Sequence, residues 1–175
     1  MPRQRSGFPL VFTVSLSHAL DAVIRNKPLR ISIGADHGGF GLKKHLGDFI
    51  NSLGHELLDR GTHSRDSVDY PDFAQAVAAD LQSGAADFGV LVCTTGIGVS
   101  IAANKQPGVR AAVVHNEDGA RYSRLHNHAN VVCFGEKYDA PYLACRHLEI
   151  FLSTEAEGGR HDRRVAKMEH PVETA

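Results

Sequence analysis

The sequence carries almost no net charge. Nineteen lysines and arginines stand against twenty aspartates and glutamates, a formal balance of −1, so no global positive field draws the chain to nucleic acid or to an anionic membrane. No apolar run approaches the roughly 18 residues that a membrane span requires. Cysteine is scarce: Cys93, Cys133 and Cys145 make an odd count, and none stands in a C-x-x-C arrangement. That argues against a disulfide framework or a zinc knuckle and suits a reducing compartment. What remains is ordinary globular usage, 42% hydrophobic and 22% charged over 175 residues. A chain of that size forms one domain and buries about 70% of its unfolded surface without metal or disulfide support.

Residues 1–28 differ from the rest and read as an N-terminal extension of unknown role. Arg3 and Arg5, the short apolar run from Phe8 to Val14, and the small residues Ala19 and Ala22 sketch a secretory signal. Pro9 interrupts that run, and Ser15, Ser17 and His18 follow closely, so the localisation expected is cytoplasmic. A short helix from Ser17 to Lys27, or a start assigned too early, are the other readings. Pro28 marks the boundary of the domain proper, expected over 29–168, with a tail at 169–175.

From Leu29 onward two kinds of segment alternate. Strands are expected at Leu29–Ala35, Glu56–Asp59, Phe88–Cys93, Arg110–His115 and Asn130–Phe134. The third is a continuous apolar run of the type buried on both faces. Helical spacing covers Gly39–Leu53, Asp72–Ser83, Ile97–Asn104, Gly119–Leu125 and Ala140–Leu152, with Pro71 suited to a first turn. Such alternation predicts an α/β architecture, a five-stranded parallel sheet covered by helices on both faces. Ligands in these folds sit outside the carboxyl ends of the strands.

Four segments hold chemistry. Gly34-Ala35-Asp36-His37-Gly38-Gly39 ends a strand and opens a helix, whose N-terminus would receive an anion. Cys93-Thr94-Thr95-Gly96-Ile97-Gly98 repeats that pattern with a thiol at the helix start, where a cysteine's pKa falls and a thiolate serves as nucleophile or base. A buried small hydrophobe and a degenerate dinucleotide turn are its alternatives; the turn follows the third strand and lacks the third glycine. His126-Asn127-His128 offers an acid/base histidine with a polar neighbour; as a metal pair the two rings would diverge, with no local carboxylate. Gly158-Gly159-Arg160-His161-Asp162-Arg163-Arg164 puts Arg160 and Arg164 on one helical face, suited either to a phosphate dianion or to plain solvation.

Together with Asp69-Tyr70-Pro71 and Ile101-Ala102-Ala103-Asn104-Lys105, these segments resemble, in order and spacing, the ribose-5-phosphate isomerase B family of sugar-phosphate isomerases. The resemblance runs from Leu29 to Met168. It implies a Rossmann-like three-layer α/β sandwich, a phosphorylated sugar substrate, no cofactor, no metal, and no nucleic-acid or membrane partner. It also implies a homodimer, paired into tetramers in some members, whose C-terminal helix packs on the partner and whose active site is shared between subunits. The implied reaction is aldose–ketose isomerisation of ribose 5-phosphate and ribulose 5-phosphate through a cis-enediol, a pentose phosphate pathway step. By resemblance Cys93 is the carbon base, and His126 opens the sugar ring with Asp36 beside it. Thr95 and the N–H groups of Gly96 and Gly98 hold the enediolate, within a substrate loop that includes Thr94 and Ile97. Asn127 contacts a sugar hydroxyl, and His37, Lys137, Arg160 and Arg164 anchor the phosphate. Two positions depart from the family pattern. Thr94 stands where relatives commonly have Gly, and Lys137 where they carry Arg, which leaves allose, galactose and tetrose phosphates as alternative substrates.

Overall fold

The computed structural model describes residues 27–169. The secretory and helical readings of the N-terminal extension, and the tail beyond Glu169, lie outside the described residues. Eleven elements follow one another: β1 (Arg30–Ala35), α1 (Phe40–Ser52), β2 (Glu56–Asp59), α2 (Tyr70–Gln82), β3 (Phe88–Cys93), α3 (Ile97–Ala103), β4 (Ala111–Val113), α4 (Glu117–Leu125), β5 (Val131–Gly135), α5 (Pro141–Ser153) and α6 (Arg160–Glu169). All strand pairings are parallel, in the order β2-β1-β3-β5-β4. Among the described residues no helix is long and apolar enough to cross a membrane.

The alternation along β3 explains the layers. Val90 and Val92 pack with Leu42, Leu46 and Ile50 of α1, Ala120 of α4 and Leu148 and Phe151 of α5. Leu91 and Cys93 face the other way, onto Ala74 and Val77 of α2 and Val99 and Ala103 of α3. Both faces of the central strand are therefore buried, and each fully buried large aliphatic or aromatic side chain contributes about 1.5–3 kcal/mol. Pro71 lies in the first turn of α2 as its fixed φ favours. β4 is shorter than its apolar sequence suggests, because it is an edge strand and its last expected residue, His115, turns its side chain to Asp139. α6 folds against its own chain, burying His161 and Val165.

A buried carboxylate ties β1 and β2 to α2. Asp80 accepts hydrogen bonds from Ser32 Oγ and from Nε and Nη2 of Arg60, each at 2.6 Å. Burial alone would raise its pKa, but these hydrogen bonds and the guanidinium charge outweigh that and hold it below the ordinary carboxylate value. A lowered folded pKa contributes stability that is present above the unfolded value near 3.9 and is lost as pH falls through the folded value. Asp80→Asn is expected to cost about 2 kcal/mol at neutral pH and to flatten the loss of stability below about pH 4. Urea unfolding at a series of pH values checks both; a variant with the wild-type acid limb contradicts the assignment.

Candidate active site

The strand order reverses direction between β1 and β3, the switch point where open α/β sheets bind ligands. Two loops meet there. Thr94 Oγ1 stands over the β1 loop, 2.2 Å from where a Cβ on Gly38 would lie, so only glycine admits this side chain. The neighbouring carboxylate, Asp36, is 7% exposed and its Oδ1 accepts the N–H groups of Gly38 and Gly39 at 2.9 and 3.1 Å. Glu136, reaching over from the end of β5, accepts the Leu42 N–H at 2.8 Å. At the start of α1 the protein's own carboxylates thus take the N–H groups of Gly38, Gly39 and Leu42.

The start of α3 is different. Gly96 is its N-cap at φ +77° and donates its N–H to Cys93 Sγ at 3.1 Å, while Ile97 N–H reaches Thr95 Oγ1 at 3.3 Å. Among the described residues no protein acceptor lies on the N–H groups of Gly98 or Val99. Of the two amides that the resemblance assigned to an enediolate, Gly96 is engaged by sulfur and Gly98 is open. The ring of Tyr70, from the start of α2, covers Gly98. His37 Nδ1 lies 3.2 Å from both the backbone nitrogen and the carbonyl oxygen of Val68. The turn after β5 walls the cradle: Glu136 N–H donates to Cys93 O at 3.0 Å and Lys137 N–H to Thr94 O at 3.1 Å.

The remaining expected residues form a second group. His126 caps the C-terminus of α4 and stacks face to face on His161, with centroids 4.2 Å apart and planes 4° from parallel. Glu157 Oε2 lies 3.7 Å from His126 Nε2 and 3.9 Å from His161 Nε2. Arg160 Nε donates to His161 Nε2 at 3.1 Å. Burial, then the charges of His126, Arg160 and Arg164, keep His161 below the usual imidazole range, against the pull of Glu157. His128 Nε2 meets Glu157 O at 2.9 Å and Asp162 Oδ1 at 3.5 Å. His126 and His128 therefore converge on Glu157, the first near its carboxylate and the second on its backbone carbonyl. Donor atoms of His126, Glu157 and His161 lie within 4.8 Å of one another. Parallel rings do not aim their lone pairs at a common point, and Arg160 adds positive charge. A cation is therefore poorly served by this geometry.

The two groups occupy opposite ends of the sheet. Cys93 pairs with Gly135 at the carboxyl end of β3, whereas the α4–β5 connection holding His126 and Asn127 enters the sheet at Val131, level with Gly89. Four residues of strand separate these levels, about 13 Å. α6 lies at the same far end, where Glu157 N–H donates to Leu125 O and Arg110 pairs with Glu169. Within one chain, Asp36, His37, Cys93–Gly98 and Lys137 come together, as do His126, Asn127, Arg160 and Arg164. The expected placement of Asp36 beside His126 is not met in a single chain. Sequence reasoning also missed Glu136, Glu157 and Asp139, whose partners lie far away along the chain.

Comparison with known proteins gives a consistent picture. The family described as ribose/galactose isomerase matches residues 31–168. Ribose-5-phosphate isomerase B of Escherichia coli is 42% identical over 136 residues, covering 78% of this chain and 91% of its own. The structure of Clostridium thermocellum ribose-5-phosphate isomerase B superposes with a TM-score of 0.80 at 48% identity, covering 81% of this chain and 95% of that one. That of the Trypanosoma brucei type B enzyme gives 0.79 at 42% identity, covering 82% and 98%.

The closeness of the β5 turn to the cradle has a direct consequence. A Cβ on Gly135 would lie 2.6 Å from the carbonyl carbon of Thr95. Gly135→Ala is therefore expected to destabilise the fold by about 1–3 kcal/mol, read as a lower urea midpoint; an unchanged midpoint contradicts this contact.

Proposed function

The chain belongs to the ribose/galactose isomerase family, and we propose that it interconverts ribose 5-phosphate and ribulose 5-phosphate without a cofactor, through a cis-enediolate. The observation that carries this reading is a cysteine sulfur at the β1/β3 switch point, beside a helix start that keeps open amides.

The sugar arrives mostly as a ring. His126, with Glu157 and His161 against it, moves the ring-opening proton. Cys93 Sγ, as thiolate, then removes the proton from carbon 2 of the aldehyde. The electron pair of that C–H bond enters the bond between carbons 1 and 2, and the carbonyl oxygen becomes the enediolate oxygen. Thr95 and the open N–H of Gly98 meet this charge where it develops, an effect worth about 3–4 kcal/mol per donor lost. Cys93 returns its proton to carbon 1, O2 gives its proton to O1, and the ketose results. His37, Lys137, Arg160 and Arg164 hold the phosphate, so binding energy distant from the reacting carbons orients them.

The separation of the two groups gives this reading a structural requirement. Cys93 and His126 serve one sugar only if they come from different chains, so the working unit is an assembly of at least two copies in which α6 also meets the partner. Thr94, standing over Gly38, and Lys137, which keeps a positive charge but not the guanidinium fork, favour a second reading: the same reaction on a sugar phosphate of another length.

In D2O the protein is expected to place deuterium on carbon 2 of ribose 5-phosphate, and Cys93→Ala to abolish that exchange while still binding the sugar phosphate. NMR of the recovered sugar and calorimetric titration check the two halves; exchange at the wild-type rate in Cys93→Ala removes the cysteine from the mechanism. A panel of four-, five- and six-carbon sugar phosphates, assayed without cofactor, is expected to show the pentose turned over fastest. Faster turnover of a tetrose or hexose phosphate decides for the second reading. Arg160→Ala is expected to weaken phosphorylated sugars selectively, and equal binding of free and phosphorylated sugar by the wild type overturns the phosphate assignment.

A further inference from the structure

At the carboxyl ends of β4 and β5 lies a buried acid that takes no part in the proton transfers of the isomerisation. Asp139 has a side chain only 4% exposed, while that of its neighbour His115 is 48% exposed. His115 Nδ1 lies 3.1 Å from Asp139 Oδ1, and Gly135 N–H donates to Asp139 Oδ2 at 2.7 Å. The backbone N–H groups of Tyr138 and Asp139 return to Gly135 O, both at 2.9 Å. One carboxylate thus closes the turn from Gly135 to Asp139 from both sides. That turn grips the cradle: Glu136 N–H holds Cys93 O, Lys137 N–H holds Thr94 O, and Gly135 packs on the backbone of Thr95. No other side chain among the described residues bonds to the Gly135 N–H.

We propose that Asp139, oriented by His115, is a positioning residue for the isomerase site: it fixes the β5 turn that holds the Cys93–Thr95 backbone in register with the substrate. This inference rests on the isomerase reading of Cys93. The physical argument is that proton transfer between adjacent carbons tolerates little displacement, since a shift of about 1 Å in a reacting group can cost on the order of 100-fold in rate. A carboxylate with both oxygens engaged and little exposure has few other positions to adopt. His115 is the exposed half of the pair, so replacing it leaves the core intact while loosening the acid.

The test compares Asp139→Ala, His115→Ala and His115→Asn by steady-state kinetics on ribose 5-phosphate, with melting curves for each. Asparagine places an amide N–H where His Nδ1 stood. The expected result is a fall in kcat of about 10- to 100-fold in both alanine variants, with KM changed far less, and recovery of most of kcat in His115→Asn. Wild-type kcat in both alanine variants, whatever their melting temperatures, overturns the proposal, as does a change confined to KM. Cys93→Ala is measured alongside. If it is inactive while both alanine variants keep wild-type kcat, only the positioning role falls; if it is fully active, the role of Cys93 as carbon base falls and the positioning role with it.

Discussion

The parallel run of β3 beside β5 is the constraint on which the rest depends. A parallel strand enters the sheet at one end and leaves at the other, so the loop before it and the loop after it are never neighbours. The connection before β5 carries His126 and Asn127, and the turn after it carries Glu136, Lys137 and Asp139. Because β3 lies in register with β5, Cys93 joins the second set and is held away from the first by the length of the strand. A single chain then carries two groups of candidate residues at opposite ends of the sheet, which the proposed reaction reads as two half-sites. Under the proposed reaction, chemistry on one sugar draws on both groups and so on two chains. For that proposal, self-association is a demand of topology, set before any interface is considered.

Within the half-site around Cys93, the placement of carboxylates decides where an anion is received. Two helices begin at the switch point, and on sequence grounds both are candidates. Asp36 accepts the N–H groups of Gly38 and Gly39 and Glu136 that of Leu42 at the start of α1, whereas among the described residues no carboxylate lies on the amides at the start of α3, beside the sulfur. Negative side chains at the first helix also repel an incoming anion and leave the second as the preferred place for developing charge. The other group is organised oppositely, with the charges of Arg160 and Arg164 acting on stacked imidazoles and Glu157 at the Nε2 edge of both rings.

Much of this was legible in the amino acids. The unbroken apolar run Phe88–Cys93 announces a central strand, Pro71 marks the first turn of α2, and the glycines at 158 and 159 precede α6. The loops that carry Asp36, Cys93 and Lys137 could be placed at strand ends because alternation alone tells where a parallel strand finishes. What was not legible depends on contacts across the chain. Glu136 reaches Leu42 over 94 positions and Asp139 meets His115 over 24, and neither pair has a spacing that periodicity can report. The convergence of His126 and His128 was hidden because His128 takes a positive φ, +50°, which breaks the helical divergence assumed for them. That His126 lies at the opposite end of the sheet from Asp36 follows only when strand register is known.

The most direct test of the two-chain site is to mix two inactive proteins. Cys93→Ala and His126→Ala, co-refolded or co-expressed so that subunits exchange, form mixed pairs in which one site carries both defects and the other carries neither. If the halves come from different chains, about a quarter of wild-type activity returns at equal mixing, the yield expected for random pairing in a two-fold dimer. If each chain holds a complete site, every site in the mixture keeps one defect, no activity returns, and the two-chain site is contradicted.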